Sequence, residues 1–154
     1  MTEKRNIREL ALAVLLEVSR NEQKSSQLIH QVLEKYQYLP RQDRAFFTRL
    51  CQGTLEYRLQ LDYILDAYSR VPVKKMKPVI REILRMAVYQ LKYMDHIPAS
   101  AAVNEAVKLT AGKGLRQLTG FVNGVLRAAA RGLPDLRWPE EQDELRFLSV
   151  RYSM

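Results

Sequence analysis

Apolar residues recur along this chain at spacings of three and four, the period of helices with one face against a core. Ile7, Leu10, Ala11, Val14, Leu15 and Val18 mark a first helix, with Asn6 placed to cap it. Leu12 and Leu16 widen its apolar surface, so this helix is expected to be central and covered on most sides. A polar break at 21–24 precedes a second helix, opened by Ser25 or Ser26 and carrying Leu28, Ile29, Val32, Leu33 and Tyr36. Pro40 suits the first turn of a third stretch. Residues 41–68 then lack proline, and Phe46, Phe47, Leu50, Thr54, Leu61, Ile64, Leu65 and Tyr68 keep helical spacing. Gly53 either divides this stretch into two helices or sits within one at a close packing contact.

A basic loop at 71–78 leads into a helix beginning near Pro78. Its spacing turns Ile80, Ile83, Leu84, Ala87, Val88 and Leu91 inward and puts Arg81, Arg85, Tyr89 and Lys92 on the other side. It ends near Asp95-His96-Ile97-Pro98, because proline disfavours helix in the residue before it. A helix over 99–111 is closed by Gly112-Lys113-Gly114, and a last long one over 115–131 stops at Gly132-Leu133-Pro134. No segment alternates with period two between hairpin signals. The expected fold is all-α: a compact bundle of six to eight helices over residues 1–137, with no sheet. A polar tail over 138–154 carries Trp138 and a short helix near 140–147.

Length and composition add bounds. A chain of 154 residues can bury a real core, and 47% hydrophobic with 27% charged residues is ordinary for a soluble globular protein. A single cysteine forms no internal disulfide, which fits a reducing cytosol. No apolar run approaches the roughly 20 residues of a membrane helix, and the N-terminus leads into an amphipathic helix rather than a signal peptide. A cytoplasmic protein is expected.

The net charge of +8 is unevenly placed. Residues 70–137 hold thirteen Lys/Arg against four acids, whereas residues 1–69 are nearly balanced and 138–154 are acidic. A basic half is the electrostatic footprint of a polyanion partner, without distinguishing RNA, DNA or an acidic protein. It is also compatible with a merely soluble basic surface.

Candidate chemistry is sparse. His30 and His96 are far apart and outside any metal-ligand spacing, so surface or capping roles are expected. Cys51 falls in an apolar helical stripe with no activating base in view. Gly112-Lys113-Gly114 lacks the preceding strand of a phosphate loop and reads as a helix C-cap. Glu140-Glu141 lies in the polar tail. No catalytic residue, metal ligand or cofactor site is expected.

Binding has more support. Lys4, Arg5 and Arg8 at the N-terminus, Lys74, Lys75 and Lys77 with Arg81 and Arg85, and Arg116, Arg127 and Arg131 form three basic groups that could converge. Tyr89, Tyr93 and Phe121 interleave, although Tyr89 and Phe121 also suit a core. Arginine pairs with phosphate and stacks on bases, and aromatic rings supply platforms for unpaired bases. On a helical wheel Arg116, Gly120, Asn123, Gly124, Arg127 and Arg131 share a stripe opposite Leu118, Val122, Val125 and Ala129. Two glycines in a helix cost roughly 1 kcal/mol each, which points to close approach by an anion or by another helix.

From Arg5-Asn6-Ile7-Arg8 to Arg131 the chain resembles the NusB family of helical RNA-binding proteins. Its most specific segments are Ile97-Pro98 with Val103-Asn104-Glu105-Ala106-Val107, and Phe121-Val122-Asn123-Gly124-Val125-Leu126. Asp43-Arg44-Ala45-Phe46, Gly53-Thr54-Leu55, Leu61-Asp62, Ile83-Leu84-Arg85, Val88-Tyr89-Gln90-Leu91 and Val125-Leu126-Arg127 are similar to one branch, the N-terminal domains of ribosomal RNA small-subunit cytosine-C5 methyltransferases. Free-standing members commonly carry an acid where Arg127 stands. The segment 148–153 also resembles the passage into the enzymes' catalytic part, which uses S-adenosylmethionine. That part would bring a glycine-rich loop and two cysteines after prolines, whereas Cys51 follows Leu50.

The resemblance implies an RNA-binding domain that positions ribosomal RNA for a catalytic domain beyond this chain, with Arg5, Arg8 and the helix start at 121–124 on the RNA-contacting face. It implies, as the alternative, an antitermination factor that binds single-stranded RNA with a ribosomal-protein partner. A protein-interaction module docking its own catalytic domain or a second copy through the glycine face is the third expectation.

Overall fold

The computed structural model describes residues 6–21 and 24–138. Lys4, Arg5, the expected tail helix at 140–147, Glu140, Glu141 and the segment 148–153 lie outside them. Seven α-helices are present among the described residues: α1 (Ile7–Asn21), α2 (Ser25–Lys35), α3 (Arg41–Glu56), α4 (Arg58–Tyr68), α5 (Pro78–Tyr93), α6 (Ala99–Gly112) and α7 (Thr119–Gly132). Short 3-10 turns at Val73–Lys75, Arg116–Leu118 and Leu133–Asp135 join or close them, and no described residue is in a strand. The architecture is the expected all-α bundle. None of these helices is long and apolar enough to cross a membrane.

Local signals account for most boundaries. Asn6 Oδ1 accepts the Glu9 N–H at 3.1 Å, which caps α1. Pro78 occupies the first turn of α5, where its missing N–H is not needed. At the end of α6 the Gly114 N–H reaches the Ala111 carbonyl at 3.0 Å and the Leu115 N–H reaches that of Thr110 at 3.1 Å. This is a left-handed cap, and Gly114 takes it with φ +77°. The last long helix starts later than its spacing implies, because 116–118 form a 3-10 turn before α7.

The break between α3 and α4 falls at Tyr57, not at Gly53. Gly53 is buried within α3, and the Tyr89 hydroxyphenyl group occupies the place a Cβ would take. The glycine is therefore a packing contact between α3 and α5.

Helix α5 is the axis of the bundle, touching α1, α3, α4, α6 and α7. Ile83, Leu84 and Val88 are fully buried, as their spacing requires. Arg85 and Tyr89 are buried too, which departs from the outward placement expected of them. Their side faces α4 and α3 instead of solvent. The first helix is likewise central, with Ala11, Leu12 and Leu15 sealed.

Candidate nucleic-acid interface

Helix α7 presents two contrasting sides. Val122, Val125, Leu126 and Ala129 are buried against α4, α5 and α6. Opposite them Gly120, Gly124, Arg127 and Arg131 are exposed, continued by exposed Arg116 in the preceding turn. A Cβ on Gly120 or Gly124 would meet nothing within 4 Å. The glycines thus leave backbone bare towards the outside and pack against no neighbouring helix of the described structure. Half-buried Asn123 accepts from Arg127 Nε at 3.1 Å, which orients the guanidinium along the stripe. Among the described residues, Arg116, Arg127 and Arg131 enter no ion pair. Their charge is available to an anion, and each planar fork suits two phosphate oxygens. Phe121 is half-buried and rests on the core at the edge of this face.

The N-terminal basic group sits elsewhere. Arg8 is half-buried, with Nε donating to Gln90 Oε1 at 2.9 Å and its guanidinium 5.1 Å from the Phe46 ring centre. Burial lowers the Arg8 pKa, with the Glu105 charge acting in the opposite direction. Beside it opens a cleft of about 600 Å³ between α1, α3 and the turn after α5, lined in part by Phe46, Arg49 and His96. Arg49 Nη2 donates to the Tyr93 carbonyl at 2.7 Å. The sequence placed Phe46 at an apolar helical position and in the Asp43–Phe46 segment of the family resemblance, assigned it no binding role, and drew no attention to Arg49. The available signal was the spacing of Asp43, Phe46 and Arg49 on one side of α3.

Lys74, Lys75 and Lys77 are exposed at the start of α5, on a loop anchored by buried Val73 and Met76. The Val73 N–H donates to Asp66 Oδ1 at 2.9 Å and fixes that loop on α4. Thirteen residues of helix separate Lys77 from Gln90, the partner of Arg8, or about 20 Å along the axis. The lysines and Arg8 therefore occupy opposite ends of α5 and do not converge.

Arg85 does not join the lysines at the surface. Its Nε and Nη2 bond the two Asp62 oxygens at 2.7 and 2.8 Å, and Nη1 bonds Glu82 Oε2 at 2.8 Å. Burial lowers the Arg85 pKa, but the hydrogen bonds and charges of Asp62 and Glu82 outweigh it, leaving the pKa raised. Arg81 Nε takes the same Glu82 oxygen at 2.9 Å. The arrangement holds α4 to α5 and commits one expected surface cation to the interior.

The remaining candidates find ordinary places. His30 pairs with Glu34 at 2.9 Å on the exposed side of α2. His96 is exposed, and Tyr93 is half-buried, stacked on Tyr57 with centroids 4.5 Å apart. Cys51 is fully buried, and burial pushes its thiol pKa up to about 12. No group of three or more potential metal ligands forms among the described residues.

A sequence model of the NusB family matches residues 5–131. Over 151 residues, 97% of this chain, the sequence is 36% identical to a probable ribosomal RNA small subunit methyltransferase B of Bacillus subtilis. The chain spans only 33% of that protein's length. It is also 33% identical over 124 residues to the transcription antitermination protein NusB of Bacillus velezensis, covering 80% of this chain and 92% of that one. In three dimensions it superposes on the NusB fold from a crystal structure of antitermination factors NusB and NusE in complex with double-stranded RNA. The TM-score is 0.74 at 20% identity, covering 82% of this chain and 94% of the other.

Proposed function

We propose that this chain, which belongs to the NusB family, is the RNA-binding domain of a ribosomal RNA small-subunit methyltransferase. It holds ribosomal RNA while a following domain, supplied with S-adenosylmethionine, methylates cytosine at C5. One observation carries the choice within the family: 36% identity across 97% of this chain, aligned to one third of a methyltransferase B. The geometry supports the RNA-binding part. Arg116, Arg127 and Arg131 line an exposed face of α7 without carboxylate partners among the described residues, and Gly120 and Gly124 open the backbone between them. Such a face takes phosphates by charge and leaves sequence recognition to other contacts. The methyl donor belongs to the following domain, and the role of these residues is to bind and orient.

The second reading is an antitermination factor, favoured by alignment over 92% of a free-standing NusB. Arg127, an acid in many such factors, stands against it. Two measurements separate the readings. The gene's reading frame is expected to continue past Met154 into a glycine-rich loop; a stop codon there overturns the methyltransferase reading. The chain alone is expected to bind a small-subunit ribosomal RNA fragment; binding that requires a ribosomal-protein partner supports the second reading instead.

A further inference from the structure

We propose that the cleft beside Arg8 receives one unpaired nucleotide of the bound RNA and prefers a base with an exocyclic amino group. The inference rests on the RNA-binding reading and adds a specificity site to it. Neither the arginine stripe of α7 nor the loop lysines can supply this, because guanidinium and ammonium groups on phosphate carry no sequence information.

The cleft has the parts a single base needs. Its volume of about 600 Å³ lies within the roughly 300–1,000 Å³ of small-ligand sites. Phe46 is half-buried and topped by the Arg8 guanidinium at 5.1 Å, which makes a flat wall that is both aromatic and cationic. Bases stack on such walls whatever their identity, since each has a π-face. Arg8 is fixed there by its bond to Gln90 Oε1, and Arg49 by its bond to the Tyr93 carbonyl, so neither guanidinium must be ordered when the ligand arrives. Met94 and Ile97 supply an apolar side.

Charge decides the class of occupant. Arg8 and Arg49 bring positive charge to the cleft, which His96 also lines, against one lining carboxylate, Asp43. Asp43 is half-buried in the first turn of α3 and forms no ion pair among the described residues. A phosphate therefore sits by Arg49 and His96, and Asp43 accepts a hydrogen bond from the base edge. The amino group of cytosine suits a carboxylate acceptor, whereas uracil shows it two carbonyl oxygens around a single N–H. An acidic peptide would leave the Phe46 wall unused and bring its charge against Asp43.

The test titrates the full chain with short oligocytidylate and oligouridylate strands, in wild type, Phe46→Leu and Asp43→Asn. Wild type is expected to prefer oligocytidylate several-fold. Phe46→Leu removes the ring while keeping an apolar side chain and weakens both about five-fold or more, the loss of one stacked base. Asp43→Asn abolishes the preference while retaining salt-dependent affinity. If wild type binds both strands with steep salt dependence and neither folded variant changes affinity or preference, the cleft assignment fails and the RNA-binding reading stands. If wild type binds no RNA, both fail. Should Phe46→Leu not fold, 5-iodocytidine crosslinking decides: a crosslink within 42–49 supports the site, and crosslinks only on α7 overturn it.

Discussion

Arg85 carries three charge-assisted hydrogen bonds to Asp62 and Glu82, and Glu82 is only 2% exposed. A buried ion pair contributes little relative to apolar packing, but breaking one strands a charge. Arg85→Met leaves the Glu82 carboxylate with Arg81 as its remaining partner in this cluster and is expected to cost about 3 kcal/mol, read as a lower urea midpoint. Adding Glu82→Leu to that variant should recover much of the loss; further destabilisation would contradict this account of the cluster. Cys51 offers a pH test. Its thiol ionises near 9 in an unfolded chain and at about 12 in the folded one. The folded state thus keeps a proton that the unfolded state gives up, so this contribution is complete below pH 9 and is lost as pH rises towards 12. The wild-type chain should lose more stability over that range than Cys51→Ala. Native protein at pH 8 should resist a thiol reagent that titrates one thiol once denaturant is added.

Glycines in two helices make opposite predictions. Gly53→Ala in α3 would drive a Cβ into the Tyr89 ring and should destabilise by about 1–3 kcal/mol, as overpacked cores do. Gly124→Ala in α7 meets open space and should stabilise by about 0.5–1 kcal/mol. If close approach of RNA is the reason for that glycine, the same change weakens RNA binding while raising the melting temperature. Stabilisation with unchanged binding would remove Gly124 from the interface. The sequence showed helix type and most boundaries because capping and proline signals act locally, as at Asn6, Pro78 and Gly114. It did not show that α5 is enclosed. A helical period reveals one apolar face, whereas the second face of α5 is polar and satisfied by distant residues: Arg85 by Asp62, Gln90 by Arg8, and Tyr89 by the space over Gly53. The face of α7 was legible because all its members lie within sixteen residues of one another. The Arg8 cleft was not, since Arg8, Phe46 and His96 come from three separate elements and meet only in the fold.

Across the whole molecule, the exposed arginines Arg116, Arg127 and Arg131 line the stripe of α7, and Lys74, Lys75 and Lys77 stand on the loop at the start of α5. Arg8 and Arg49 add a separate site at the other end of α5. RNA that meets both ends must span about 20 Å, several nucleotides rather than one. RNA binding is best probed at the stripe, because its arginines are exposed and reversing them should leave the fold intact. The decisive measurement is the salt dependence of binding to a ribosomal RNA fragment, for wild type and for Arg116→Glu/Arg127→Glu/Arg131→Glu, with helical content checked by circular dichroism. If the three arginines each neutralise a phosphate of single-stranded RNA, the slope of log K against log salt should fall by about 2, alongside at least a ten-fold loss of affinity at low salt. The same slope and the same affinity in a folded triple variant would contradict an RNA-binding role for this face.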